Sequence, residues 1–257
     1  MSKSRTSSKR RAGSSKPKKP KPRKPAKVRK PKARKPAKAR KPAKARAQPG
    51  AAKARPRLVE SDHAGLLLII SGPSGAGKST IARRLASLDN RVWRSVSMTT
   101  RAPREGETSG IDYLFVTRDE FQRAAGEKSL LEHATVHGEF YGTPRGPVVE
   151  RLTQGRDVLL EIDVQGAAQV RKVAGEALLV FVAPPSRAVL EKRLRDRGSE
   201  TEERIAARLA AADGEVARAK DYDYYVVNDD LEKATSDVRA IIAAERCRVR
   251  RRGEIPW

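Results

Sequence analysis

The sequence predicts an α/β fold, a parallel sheet flanked by helices on both faces. Three observations carry that reading. Short apolar runs of strand length recur at 65–70, 158–163, 177–182 and 224–227. Helical stretches at 165–173, 186–196, 202–220 and 231–244 alternate with them. The first apolar run feeds a glycine-rich turn and then an amphipathic helix at 79–86. Strands that are apolar almost throughout, separated by helices, belong to a sheet covered on both sides.

Taken in order, the turn comes first: Gly72, Pro73, Ser74, Gly75, Ala76, Gly77, Lys78 and Ser79 fit G-x-x-x-x-G-K-[ST]. Glycines let the backbone curl so that its N–H groups converge on phosphate oxygens, and the helix that follows adds its positive end. A lysine here reaches the β- and γ-phosphates of a nucleoside triphosphate, and the hydroxyl after it ligates Mg²⁺. Strand, glycine-rich turn and helix are the setting this motif requires. From about 95 to 151 the alternation breaks. Strands are expected at 112–116 and 130–136 around a helix at 118–125, forming an inserted α+β subdomain over about 97–151. A kinase built on a phosphate loop must hold its acceptor somewhere, and this insertion is the candidate. The run at 158–163 ends in Glu161 and Asp163, at the strand end where ligands of such sheets collect. Asn228 closes the last strand, either as a turn former or as a group facing the bound nucleotide.

Charge divides the chain at about residue 57. The first 57 residues hold 25 of its 56 Lys and Arg and none of its 31 Asp and Glu, so residues 58–257 are neutral, 31 against 31. The basic segment is built from Lys, Arg, Pro, Ala and Ser with near-repeats, and has almost nothing apolar to bury. It is expected to be disordered and extended. It lacks the apolar stretch of a secretory signal, and its nine prolines forbid the amphipathic helix of a mitochondrial transit peptide. Its charge density suits non-specific contact with nucleic acid or another polyanion, with no aromatic residue to stack on bases. A solubilising extension is the plainer alternative. The remaining 200 residues suffice for one packed domain, and no apolar run is long enough to span a membrane. Cys247 is alone, which excludes an intrachain disulfide and suits a reducing cytoplasm. His63, His133 and His137 have no metal-ligand spacing.

The segments 95–107 (SVSMTTRAPREGE) and 110–116 (GIDYLFV), together with Glu132, 138–143 (GEFYGT), 161–166 (EIDVQG) and 227–231 (VNDDL), closely resemble the signature of guanylate kinases, in register from about 65 to 244. The resemblance implies transfer of the γ-phosphoryl group of ATP to GMP with Mg²⁺. It assigns the acceptor's phosphate to Arg101 and Arg104, whose planar guanidinium forks suit it, with Tyr113 and Tyr141 adding hydroxyls. Guanine's edge offers N1–H and N2–H₂ donors, and an ionised carboxylate only accepts, so Glu132 matches it where adenine would not. Ser97, Thr143 and Asp163 are implied as further base contacts. Arg193, Arg197 and Arg208 are implied in a lid over about 193–210, where cationic groups stabilise charge on the transferring phosphoryl group. Asn228 matches a position near the adenine of ATP. Water held by Glu161 or Asp163 completes the expected metal shell beside Ser79. A non-catalytic binding module of the same fold and a kinase of a phosphorylated sugar are the alternatives. The intact loop argues against the first, and Glu132, Tyr141, Thr143 and Arg104 against the second.

Overall fold

The computed structural model describes residues 56–59, 64–136, 138–196 and 201–249. The described residues all belong to the second of two units, Ala52–Trp257, the first being Met1–Ala51. The expectations for the basic segment up to residue 55, for Arg197, for the loop at 198–200, and for His63 and His137 lie outside the described residues.

In chain order the elements are β1 (Leu67–Ser71), α1 (Lys78–Leu88), β2 (Val92–Arg94), β3 (Ser97–Thr99), β4 (Tyr113–Phe115), α2 (Arg118–Gly126), β5 (Leu130–Val136) and β6 (Glu139–Pro144). There follow α3 (Arg145–Thr153), β7 (Asp157–Glu161), α4 (Val164–Val173), β8 (Leu178–Ala183), α5 (Arg187–Arg195), α6 (Glu202–Ala217), β9 (Tyr224–Val227) and α7 (Leu231–Arg246). Five strands form a parallel sheet in the order β2-β7-β1-β8-β9. That is the parallel sheet flanked by helices that the apolar runs predict.

Alternation along each strand explains why those runs are apolar without a break. Leu68, Ile70, Leu159, Val180 and Val182 point to one face, where they pack with Ile81 and Leu85 of α1 and Val238 and Ile242 of α7. Leu67, Ile69, Val158, Leu160 and Leu179 point to the other, against Val148 and Leu152 of α3 and Ala167 and Val170 of α4. Both faces are core, so polar residues in β1 and β7 are confined to the strand ends, at Ser71, Asp157 and Glu161.

The second sheet, β4-β3-β6-β5, is mixed: β3 pairs β4 in parallel, while β6 runs antiparallel to both β3 and β5. Helix α2 is held at its start by a capping box, Thr117 with Glu120, and packs Phe121 inward. Helices α5 and α6 share a small core of their own, Leu190, Leu194, Ile205, Leu209 and Ala212. The helix expected at 202–220 ends as α6 at Ala217, and one 3-10 turn covers Ala219–Asp221. No helix among the described residues is long and apolar enough to cross a membrane.

Candidate active site

The chain leaves β1 for strands on one side of it and returns through β8 on the other, so a crevice opens beyond the carboxyl end of β1. The glycine-rich turn fills that position. Gly72 has φ +138°, and a Cβ there would lie 2.0 Å from the Val182 carbonyl oxygen, so no other residue fits. Gly77 has φ +93° and caps the start of α1, with a Cβ position only 2.1 Å from Asn228 Nδ2. The turn is closed by the Ala76 N–H donating to Pro73 O at 3.0 Å. Lys78 lies back along it, Nζ donating to Gly72 O at 2.6 Å and to Pro73 O at 3.0 Å. The Ser79 hydroxyl donates to Glu161 Oε1 at the end of β7.

Asn228 is buried, and its side-chain amide donates to Ala76 O at 2.7 Å while its own carbonyl accepts from Arg193 Nη2 at 2.9 Å. It therefore braces the loop from below and joins it to α5. From α6, Arg208 donates to the Ser74 hydroxyl. Asn228 and Arg193 also line a hollow with Gly75, Gly77, Thr80 and Asp196 on this side of the loop.

On the other side, a cleft of about 600 Å³ joins Lys78, Ser79 and Glu161 to Ser97, Tyr113, Glu132 and Tyr141 of the second sheet and to Arg101 and Arg104 in the connection between β3 and β4. Glu132 on β5 is 4% exposed, and Oε1 accepts from the Thr143 hydroxyl at 2.6 Å across the β5–β6 pair. Its Oε2 sits so close to α4 that a Cβ on Gly166 would approach it to 2.4 Å. Burial pushes the Glu132 carboxyl up to about 7, the Thr143 bond opposes that rise, and the nearby charge of Asp163 adds to it. Asp163 itself caps α4, accepting from the Gly166 N–H at 2.8 Å. Of the two acids at the end of β7, Glu161 faces the loop serine and Asp163 faces Glu132.

Arg101 is partly buried, over the rings of Tyr113 at 5.4 Å and Phe115 at 5.8 Å. Tyr113 and Tyr141 meet edge to face at 6.0 Å, and burial raises the Tyr113 hydroxyl above its usual range. Among the cleft residues to which the sequence reading gave no role are Arg94, Glu107 and Glu215. Glu215 lies seven residues beyond Arg208, two turns along α6 and on the same side. That spacing is a signal that could have found it. Burial raises its carboxyl, with Lys78 opposing and Asp163 adding.

Mg²⁺ takes few protein ligands and completes its octahedron with water and phosphate oxygens. A hydroxyl backed by one carboxylate, as in Ser79 and Glu161, fits that habit. No cluster of three or more His, Cys, Asp or Glu able to hold a metal occurs among the described residues.

A family profile described as guanylate kinase matches residues 65–245. Among curated relatives, the guanylate kinase of Carboxydothermus hydrogenoformans is 45% identical over 189 residues, 74% of this chain and 93% of that protein. The guanylate kinase of Rhizobium meliloti is 51% identical over 189 residues, 73% of this chain and 86% of that protein. A crystal structure of guanylate kinase from Anaplasma phagocytophilum superimposes with a TM-score of 0.62 at 36% identity, covering 74% of this chain and 90% of that one.

Proposed function

The chain belongs to the guanylate kinase family and is an ATP-dependent nucleoside monophosphate kinase, and from that premise we propose how its own residues carry the γ-phosphoryl group of ATP to GMP. The loop amides from Gly72 to Ser79 and the Lys78 ammonium hold the donor phosphates, Lys78 exchanging its bonds to Gly72 O and Pro73 O for phosphate oxygens. Asn228 keeps the loop in shape and, with Arg193, borders the space beside it in which the nucleoside of ATP lies. Mg²⁺, when bound, would supply positive charge to the donor phosphates. Ser79 would ligate it, with Glu161 or Asp163 reaching it through water.

In the cleft, Glu132 accepts from guanine N1–H and N2–H₂, while Ser97, Thr143 and Asp163 complete the base contacts. Arg101, Arg104, Tyr113 and Tyr141 hold the acceptor's phosphate and aim its oxygen at the γ-phosphorus. Arg193, Arg197 and Arg208 supply cationic forks to charge developing on the transferred group. Transfer is direct and in line, without a phospho-enzyme, and catalysis is positioning plus charge stabilisation.

The observation that carries this reading is the single cleft lined by both the phosphate loop and a buried carboxylate on a separate sheet. A coupled ADP-release assay with GMP, dGMP, AMP and ribose bisphosphate tests it. Turnover with the guanine nucleotides alone supports it, and turnover with the sugar or with none of the four refutes it. We assign the reaction to the cytoplasm, and the residues to a basic segment at 1–57 and a catalytic domain at 58–257, with an acceptor-binding insertion over about 97–151 and a lid over about 193–210. The 25 basic residues of that segment support non-specific polyanion contact. A gel shift in which residues 58–257 retard DNA as strongly as the full chain would remove that role.

A further inference from the structure

Arg101 and Arg104 are long, flexible side chains, and a fork that recognises a phosphate is useful only when its plane is held. On the reading that these two arginines grip the acceptor's phosphate, we propose that Glu107 is the residue that positions both. Residues 104–107 form a tight turn, closed by the Glu107 N–H donating to Arg104 O at 3.1 Å. Gly106 occupies its third position at φ +81°, the left-handed backbone such a turn requires there. The Glu107 carboxylate then reaches back over the turn. Oε1 accepts from Arg101 Nη2 at 2.9 Å, and Oε2 accepts from the Arg104 backbone N–H at 2.8 Å.

One carboxylate thus fixes the guanidinium of the first arginine and the root of the second. The rings of Tyr113 and Phe115 and the Ala102 carbonyl, 2.7 Å from Nη1, hold Arg101 from its other sides. The Arg101 and Glu107 side chains are 16% and 19% exposed, so this is not the solvated surface pair that contributes little. The Arg101 bond holds the Glu107 carboxyl below its usual range against the opposing effect of burial, so it stays charged throughout neutral pH. Glu107 is an unsuitable direct ligand, because a carboxylate repels a phosphate dianion. What it contributes must come through the two arginines. Glutamine has the same shape but one acceptor and one donor, so in Glu107→Gln one of the two N–H groups would face another N–H.

The test compares GMP with guanosine, which has the base but no phosphate, by calorimetry and steady-state kinetics on the full chain. Variants are Glu107→Gln, Glu107→Asp, Arg101→Ala, and Glu107→Gln combined with Arg101→Ala. Loss of a hydrogen bond to a charged group corresponds to about tenfold to a hundredfold in affinity. Glu107→Gln is expected to weaken GMP by that factor and raise its KM, with guanosine affinity and the KM for ATP unchanged. Glu107→Asp keeps the charge with a shorter reach and falls between. In the Arg101→Ala background most of the Glu107→Gln effect disappears, because the two act as one unit. Equal weakening of GMP and guanosine would make Glu107 a mere scaffold of the subdomain and overturn the inference. So would unchanged GMP affinity in Glu107→Gln alongside impaired binding in Arg101→Ala. Unchanged binding in Arg101→Ala would overturn the phosphate reading beneath it.

Discussion

Replacing Glu132 by glutamine should destroy acceptor binding and yet make the nucleotide-free protein more stable at pH 8. The Glu132 carboxyl is 4% exposed and lifted from its usual 4.5 to about 7, chiefly by burial, with Asp163 adding and Thr143 opposing. Its folded value lies above its unfolded one. Between pH 4.5 and 7 the folded state therefore keeps a proton that the unfolded state has released, and stability falls as pH rises through that window. Above 7 the loss is complete, at about 3 kcal/mol for a shift of this size. Glutamine has no charge to bury, and its Oε1 can still accept from the Thr143 hydroxyl. For a domain of about 200 residues each kcal/mol is worth about 2–4 °C in Tm, so Glu132→Gln should melt about 6–12 °C higher at pH 8. Near pH 4.5 the two proteins should melt together. Thermal scans without nucleotide from pH 4.5 to 8.5 measure this directly. A difference that ignores pH, or a glutamine variant that is less stable at pH 8, would refute the assignment of that strain to Glu132. The same ionisation should appear in binding: guanosine affinity should fall about tenfold per pH unit below 7, since only the charged form accepts from both base donors. Guanosine is the better probe, because a phosphate monoester ionises near pH 6 itself.

Three further outcomes follow from the geometry. Gly166→Ala puts a methyl group 2.4 Å from Glu132 Oε2, so the KM for GMP should rise more than about tenfold with ATP binding intact, as separate titrations would reveal. Lys78→Met removes the ammonium over the loop and should lower kcat by about a thousandfold or more while the circular dichroism stays the same; near-normal turnover would exclude Lys78 from the donor site. Arg208→Ala should lower kcat about a hundredfold to a thousandfold with little change in the KM for GMP, because the group acts on charge that appears during transfer.

The central strands β1, β7 and β8 were legible because they are buried on both faces and read as apolar runs; the edge strand β9, half exposed, still matches the 224–227 run to the residue. The elements that escaped had no such signal. β2 is three residues long, and β6 runs between Gly138 and Pro144 with Gly142 inside it. Helix α3 carries Gly146 and Pro147 in its first turn, which reads as a loop, although a proline there costs no intrahelical bond. At the site, the glycine-rich turn and the Arg101–Arg104 pair stand out because their spacing is itself chemical. Arg94 and Glu107 do not: Arg94 ends a three-residue strand too short to show a pattern, and what defines Glu107 is a bond that folds back six residues. Asn228 was legible as a residue but not as a brace, because its partner Ala76 is 152 positions away.

The far rim of the main sheet is pinned as firmly as the near one. Arg246, at the end of α7, donates to Asp157 Oδ2 and Asp89 Oδ2, both at 2.7 Å, and Asp157 Oδ1 accepts the Leu66 N–H at 2.8 Å. Close by, the Gly175 N–H donates to Pro56 O at 2.8 Å and Arg57 pairs with Glu176 at 3.1 Å. Residues 56–57 and the end of α7 thus lie by the amino ends of β7 and β8, at the opposite end of the sheet from the glycine-rich turn.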